Sequence, residues 1–201
     1  MNLDFEATTI SLASPPGYFS KSDALPGWNV FLASEPQSQV WYNNPRLGAE
    51  GVTLLGAQVG PVIEGSFTLL LQGGYVTPVT IAQTGFIPAK TASLQIKAIF
   101  GTYPAGGENR LVLSLNGQPL ATTVLATVPG AYTLYAADVL SFAGMNAELR
   151  ITAPPWPESG NYNYYLDSIE FRPVPEPSMW ALLGLGSVLL AAWHVRQKRN
   201  P

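Results

Sequence analysis

The chain has 201 residues, one histidine and no cysteine. The histidine, His194, stands near the C-terminus. A Ser-His-Asp arrangement therefore cannot be assembled in the body that precedes it, and cysteine nucleophiles and histidine-rich zinc sites are excluded as well. The chemistry left is that of a carboxylate pair, as in glycoside hydrolysis. Twelve Asp and Glu residues stand between Met1 and Phe171, but they are scattered, and no residue is assigned a catalytic role. Asp167 differs from the rest. In a regular strand it shares a face with Ile169 and Phe171, and if those point inward, so does the carboxylate. A buried carboxylate needs a partner. The two candidates are backbone N–H groups at a strand end or bulge, and a hard cation such as Ca2+.

Aromatic residues gather in two segments that read as loops. One is Trp41-Tyr42-Asn43-Asn44; the other holds Trp156, Tyr162, Tyr164 and Tyr165. Sugar rings stack on flat aromatics while amides and acids hold their hydroxyls, so Trp41, Tyr42, Trp156, Tyr162 and Tyr164 are the candidate ligand-binding residues. The same residue types are ordinary core members of β sandwiches, and Trp28, after Pro26-Gly27, is expected there. Pro154, Pro155 and Pro157 keep Trp156 out of a central strand.

The elements that would position these residues are strands. In Ser93–Ala98, Leu94, Ile96 and Ala98 alternate with Gln95 and Lys97; in Ala147–Thr152, Leu149 and Ile151 alternate with Glu148 and Arg150. Period two of this kind marks strands half-buried in an antiparallel sheet. Asn116-Gly117, between Leu111–Leu115 and Gln118–Leu125, is a hairpin turn, because both of its residues accept positive φ. Further strands are expected at Asn2–Ile10, Gly51–Leu55, Ser66–Gln72, Val79–Gln83, Ala131–Ala136 and Tyr164–Phe171. The body carries six Lys and Arg against its twelve acids, so it lacks the basic face of a nucleic-acid binder. These features predict an all-β fold, an antiparallel two-sheet jelly-roll sandwich over residues 1–171.

Residues 172–201 are of another kind. Residues 172–178 form a proline-rich linker containing Pro175-Glu176-Pro177. Residues 179–195 contain no Asp, Glu, Lys or Arg, and Trp180 and Trp193 mark the two ends of the run. As a helix it would be about 25 Å long, near the lower limit for spanning a bilayer core. Arg196, Lys198 and Arg199 follow in the terminal segment 196–201, and such a cluster marks the cytoplasmic side. The expectation is one C-terminal transmembrane helix with the body outside and 196–201 as a basic cytoplasmic tail.

This order of Pro-Glu-Pro, apolar run and basic cluster resembles the PEP-CTERM sorting signal of exported proteins from Gram-negative, biofilm-forming bacteria. The resemblance implies recognition by a membrane-embedded sorting protease of the exosortase type, with Pro175, Glu176, Pro177, Arg196, Lys198 and Arg199 as the sorting motif. Proline fixes φ and removes an N–H, so the motif is stiff and extended. Met1–Glu6 has neither a basic nor an apolar leader region, so export calls for a leader upstream of Met1. The body, from Leu3-Asp4-Phe5-Glu6 to Tyr165–Phe171, resembles galactose-binding-like jelly rolls. That resemblance implies carbohydrate binding, and a structural Ca2+ held by Glu6 and Asp167. The function expected is therefore that of a non-catalytic envelope or matrix protein that binds polysaccharide. The alternatives are a carboxylate-dependent glycoside hydrolase and a surface protein with no ligand.

Overall fold

A computed structural model describes residues 1–45, 50–103, 108–156 and 160–173. The expected linker motif, span and basic tail beyond Pro173 lie outside the described residues. Among the described residues no helix is long and apolar enough to cross a membrane.

The body is all-β, in two sheets. The larger sheet runs in the order β1 (Gly17–Ser20), β4 (Gln39–Tyr42), β5 (Gly51–Gly56), β6 (Phe67–Gly73), β14 (Asn161–Pro173), β8 (Thr91–Tyr103), β12 (Tyr132–Asp138), β11 (Thr122–Val128). The smaller runs β10 (Gln118–Leu120), β9 (Val112–Leu115), β13 (Asn146–Ala153), β7 (Val79–Phe86), β2 (Asn29–Leu32), β3 (Glu35–Gln37). A four-residue helix α1 (Lys21–Ala24) and a 3-10 turn (Leu140–Phe142) complete the described elements. Described strand pairs are antiparallel, except that β4 and β5 run parallel, with Trp41 opposite Thr53.

Alternation drives the packing. Leu94, Ile96 and Ala98 of β8 and Leu149 and Ile151 of β13 are all buried and meet in one core cluster, which also holds Leu69, Leu71 and Leu166. On the opposite face of β13, Arg150 Nε is 2.5 Å from Glu148 Oε1. Trp28 is fully buried as expected, and its Nε1–H donates to the carbonyl of Asn2 at 2.6 Å. Burial of each such large apolar side chain stabilises the fold by about 1.5–3 kcal/mol. The Asn116-Gly117 turn joins β9 to β10, with φ of 47° and 79°.

Three expectations are corrected. Asn2–Ile10 is not a strand. Phe5 adopts φ 59° and drops its ring into the core, 5.8 Å from Trp28, so the chain cannot continue a ladder there. The segment is instead a strap across both sheets: the Asn2 N–H reaches Gln83 of β7, and the Leu3 carbonyl accepts from Ile169 of β14. Next, the run Gln118–Leu125 is not one strand. It leaves the small sheet at Leu120 and re-enters the large sheet at Thr122 as β11. Finally, Trp41 and Tyr42 lie on strand β4, and Tyr162, Tyr164 and Tyr165 on β14, not in loops.

Candidate binding surface and the Asp167 cavity

The expected aromatic cluster around Trp156 is packing. Tyr162 and Tyr164 alternate with Asn163 on β14 and project into the core, where both are buried. Trp156 closes over them, its ring 4.9 Å from Tyr162 and stacked at 25°. Phe100 of β8 stacks on Tyr164 at 5.1 Å. The Tyr164 hydroxyl accepts the Arg110 N–H at 3.1 Å, and burial pushes its pKa upward. Tyr42 is also fully buried; its hydroxyl donates toward the Ser11 and Leu12 carbonyls, 3.3 Å each, and burial raises its pKa too. Rings enclosed in this way present no face to a ligand.

Trp41 points the other way. It sits on the solvent face of the large sheet, directly across from Tyr18 of β1. The two ring centroids are 3.9 Å apart at a 31° tilt, and Tyr18 is 59% exposed. Sequence reasoning missed Tyr18. The available signal was the short alternation Tyr18-Phe19 after Pro15-Pro16, matching Trp41-Tyr42: one member of each pair turns out and its neighbour, Phe19 or Tyr42, packs edge to face inside at 5.6 Å. Asn43 serves the fold. At φ 52° its Oδ1 accepts the Gly56 N–H at 2.7 Å.

Asp167 is 1% exposed, but by a route the alternation does not foresee. Tyr162, Tyr164 and Leu166 take the core side, which puts Asp167 on the outer side. A bulge at Ser168, with φ 47°, then shifts the register so that Ile169 returns to the core. The loop before β6 covers the carboxylate. Asp167 Oδ2 accepts the Glu64 N–H at 3.1 Å and the Thr68 hydroxyl at 2.7 Å, and Oδ1 accepts the Ser168 N–H at 2.7 Å. Burial nonetheless pushes its pKa up to about 6, against these donors. Glu64 pairs with Lys97 and also takes the Ser168 hydroxyl, which holds its pKa below the usual range.

Glu6 comes to the same place. Its Oε1 accepts the Ser66 and Phe67 N–H groups at 2.7 and 2.9 Å. Glu6, Glu64, Asp167 and Glu170 line one cavity of about 410 Å³. The structure thus brings together Glu6 and Asp167, as the expected cation site requires. Both Asp167 oxygens and Glu6 Oε1, however, already accept from N–H and O–H donors. Among the described residues no group of three or more His, Asp or Glu side chains is arranged to hold a metal ion. The donor set around Asp167 is that of a hydrogen-bonded carboxylate.

Two similarities bear on this body and its tail. The solved structure of TmCBM61 in complex with beta-1,4-galactotriose is similar to this chain with a TM-score of 0.43 and 10% sequence identity, over 86% of this chain and 96% of that one. Residues 173–199 match the PEP-CTERM protein-sorting motif. The chain therefore carries a signal that implies export and membrane-anchored sorting. No curated protein matches the sequence.

Proposed function

We propose that this is an exported, non-catalytic polysaccharide-binding protein. Its jelly-roll body faces outward from a membrane span at 179–195, with the basic cluster Arg196–Arg199 inside, and a protease of the exosortase type recognises it at Pro175-Glu176-Pro177. The observation that carries the binding role is the Tyr18–Trp41 pair. Two stacked rings on the outer face of the edge strands, one of them more than half exposed, offer an aromatic surface against which a sugar ring could stack. Screening the body against a glycan array should find a ligand. Trp41→Ala and Tyr18→Ala should each weaken its binding by about 1–3 kcal/mol, the usual worth of an aromatic anchor, while Trp156→Ala should act only through stability. Unchanged affinity in both platform variants would dismiss the site. For the orientation, a reporter fused after Pro201 should be active in the cytoplasm before processing; periplasmic activity would reverse it.

A hydrolase reading has one observation in its favour. Asp167 and Glu64 share a cavity and their pKa values move in opposite directions, the pattern of an acid and base pair. But Asp167 has both oxygens engaged and 1% exposure, so it offers no proton to a substrate. Release of reducing sugar from any glycan that the body binds, abolished by Asp167→Asn, would favour the hydrolase.

A further inference from the structure

We infer that the end of the sandwich at which β14 leaves the body is a membrane-contacting surface, seated on the headgroups of the bilayer that takes up residues 179–195. This rests on the proposed span.

The exit point is well defined. Pro173 pairs with Thr91 and Arg172 with Ser93, and Ser93 pairs in turn with Asp138. The segments that turn around at this end are therefore 87–91, following β7, and 139–145, following β12. They are tied to one another: the Ile87 N–H donates to the Met145 carbonyl at 2.8 Å, and the Gly144 N–H to the Ile87 carbonyl at 2.9 Å. Three large apolar side chains, one at the end of β7 and two on the second segment, project into solvent here. Phe86 is 59% exposed, Leu140 57% and Met145 47%. Around them Lys90, Asp138 and Arg172 are exposed polar groups of both signs, suited to a zwitterionic headgroup layer.

The length of chain beyond Pro173 names the occupant. Five residues, 174–178, separate Pro173 from the apolar run that begins at Met179. Fully extended they cover no more than about 20 Å. The headgroup layer on one side of a bilayer takes roughly 5–7 Å of that reach. The gap left is shorter than the body, because β14 alone is roughly 40 Å long. Three exposed apolar side chains that ring the exit are thus held within reach of a lipid surface, and burying them there removes apolar area from water. The opposite end, where β14 begins beside Gly73, is carried away from the bilayer.

Because the chain has no cysteine, single cysteines can report the contact in the full chain. Phe86→Cys, Leu140→Cys and the far-end control Val76→Cys, at a position 72% exposed, would each carry an environment-sensitive fluorophore. The proteins would be reconstituted in phosphatidylethanolamine–phosphatidylglycerol vesicles containing a headgroup-level nitroxide lipid. The labels at 86 and 140 should shift to the blue and lose most of their emission to the quencher, and the label at 76 should keep its aqueous spectrum. A chain that floats with the vesicles while all three labels stay aqueous, or quench equally, overturns the contact and leaves the span intact. A chain that does not float with the vesicles overturns the span and the contact with it.

Discussion

Asp167 shows how a carboxylate is buried on the outer face of a β sandwich. Its three donors come from the bulge, from β6 and from the loop that precedes it. Asp167→Asn turns one acceptor into a donor facing N–H groups and should destabilise the body by about 1–3 kcal/mol. The pH dependence follows from the raised pKa. The folded state binds a proton that the unfolded chain, with its value near 3.8, releases. This group's contribution is therefore fully present below about pH 4 and is lost as pH rises through about 6, an effect on the order of 2–3 kcal/mol. Thermal melts from pH 4 to 8 should show the wild type losing ground to the Asn variant as pH rises; parallel curves would mean that the carboxyl titrates normally. Chelator should leave the melting temperature unchanged. A drop that Asp167→Asn and Glu6→Gln both abolish would restore the calcium reading, since a ligand bound only to the native state stabilises it by mass action.

At the scale of elements, β5 and β6 are buried on both faces, although half-buried strands would be expected to show one polar side to water. The loop between them supplies the second layer: Gly60 lies against Leu55, and the Ile63 N–H donates to the Thr68 hydroxyl at 2.9 Å. The end of β6 is equally tight. A Cβ on Gly73 would stand 2.2 Å from the carbonyl oxygen of Pro154, in the connection that carries Trp156 to the core. Gly73→Ala should therefore cost about 1–3 kcal/mol or more, because backbone must move. Gly101, in β8, has nothing within 4 Å of such a Cβ. There alanine should be neutral or stabilising by up to about 1 kcal/mol. Urea melts of the two variants would compare them directly, and equal effects would mean that the Pro154 approach is not tight.

For the whole molecule, the strand register decides where the body ends. β14 stays paired with β8 to Pro173, two residues beyond the boundary after Phe171 that the sequence suggested. A protein truncated after Pro173 should be soluble and show the circular dichroism of a β protein, because the described strand pairs all lie before that point. Helical dichroism or insolubility would show that the body needs its tail.

The sorting motif was legible from sequence alone because it works through local chemistry: stiff prolines, an apolar run and a terminal cluster of cations need no partner to be recognised. The strands at 93–98 and 147–152, the Asn116-Gly117 turn and the burial of Trp28 were legible for a similar reason, since period two and positive φ are properties of neighbouring residues. The tertiary structure decided which aromatics face water. Tyr18 and Trp41 are separated along the chain and meet only because β1 pairs with β4. It also decided the setting of Asp167. The bulge at Ser168 reverses the alternation there, and the loop that covers the carboxylate joins strand β5 to β6, about a hundred residues earlier in the chain. Contacts between distant segments leave no periodic trace in either one, so they could be read only from the folded chain.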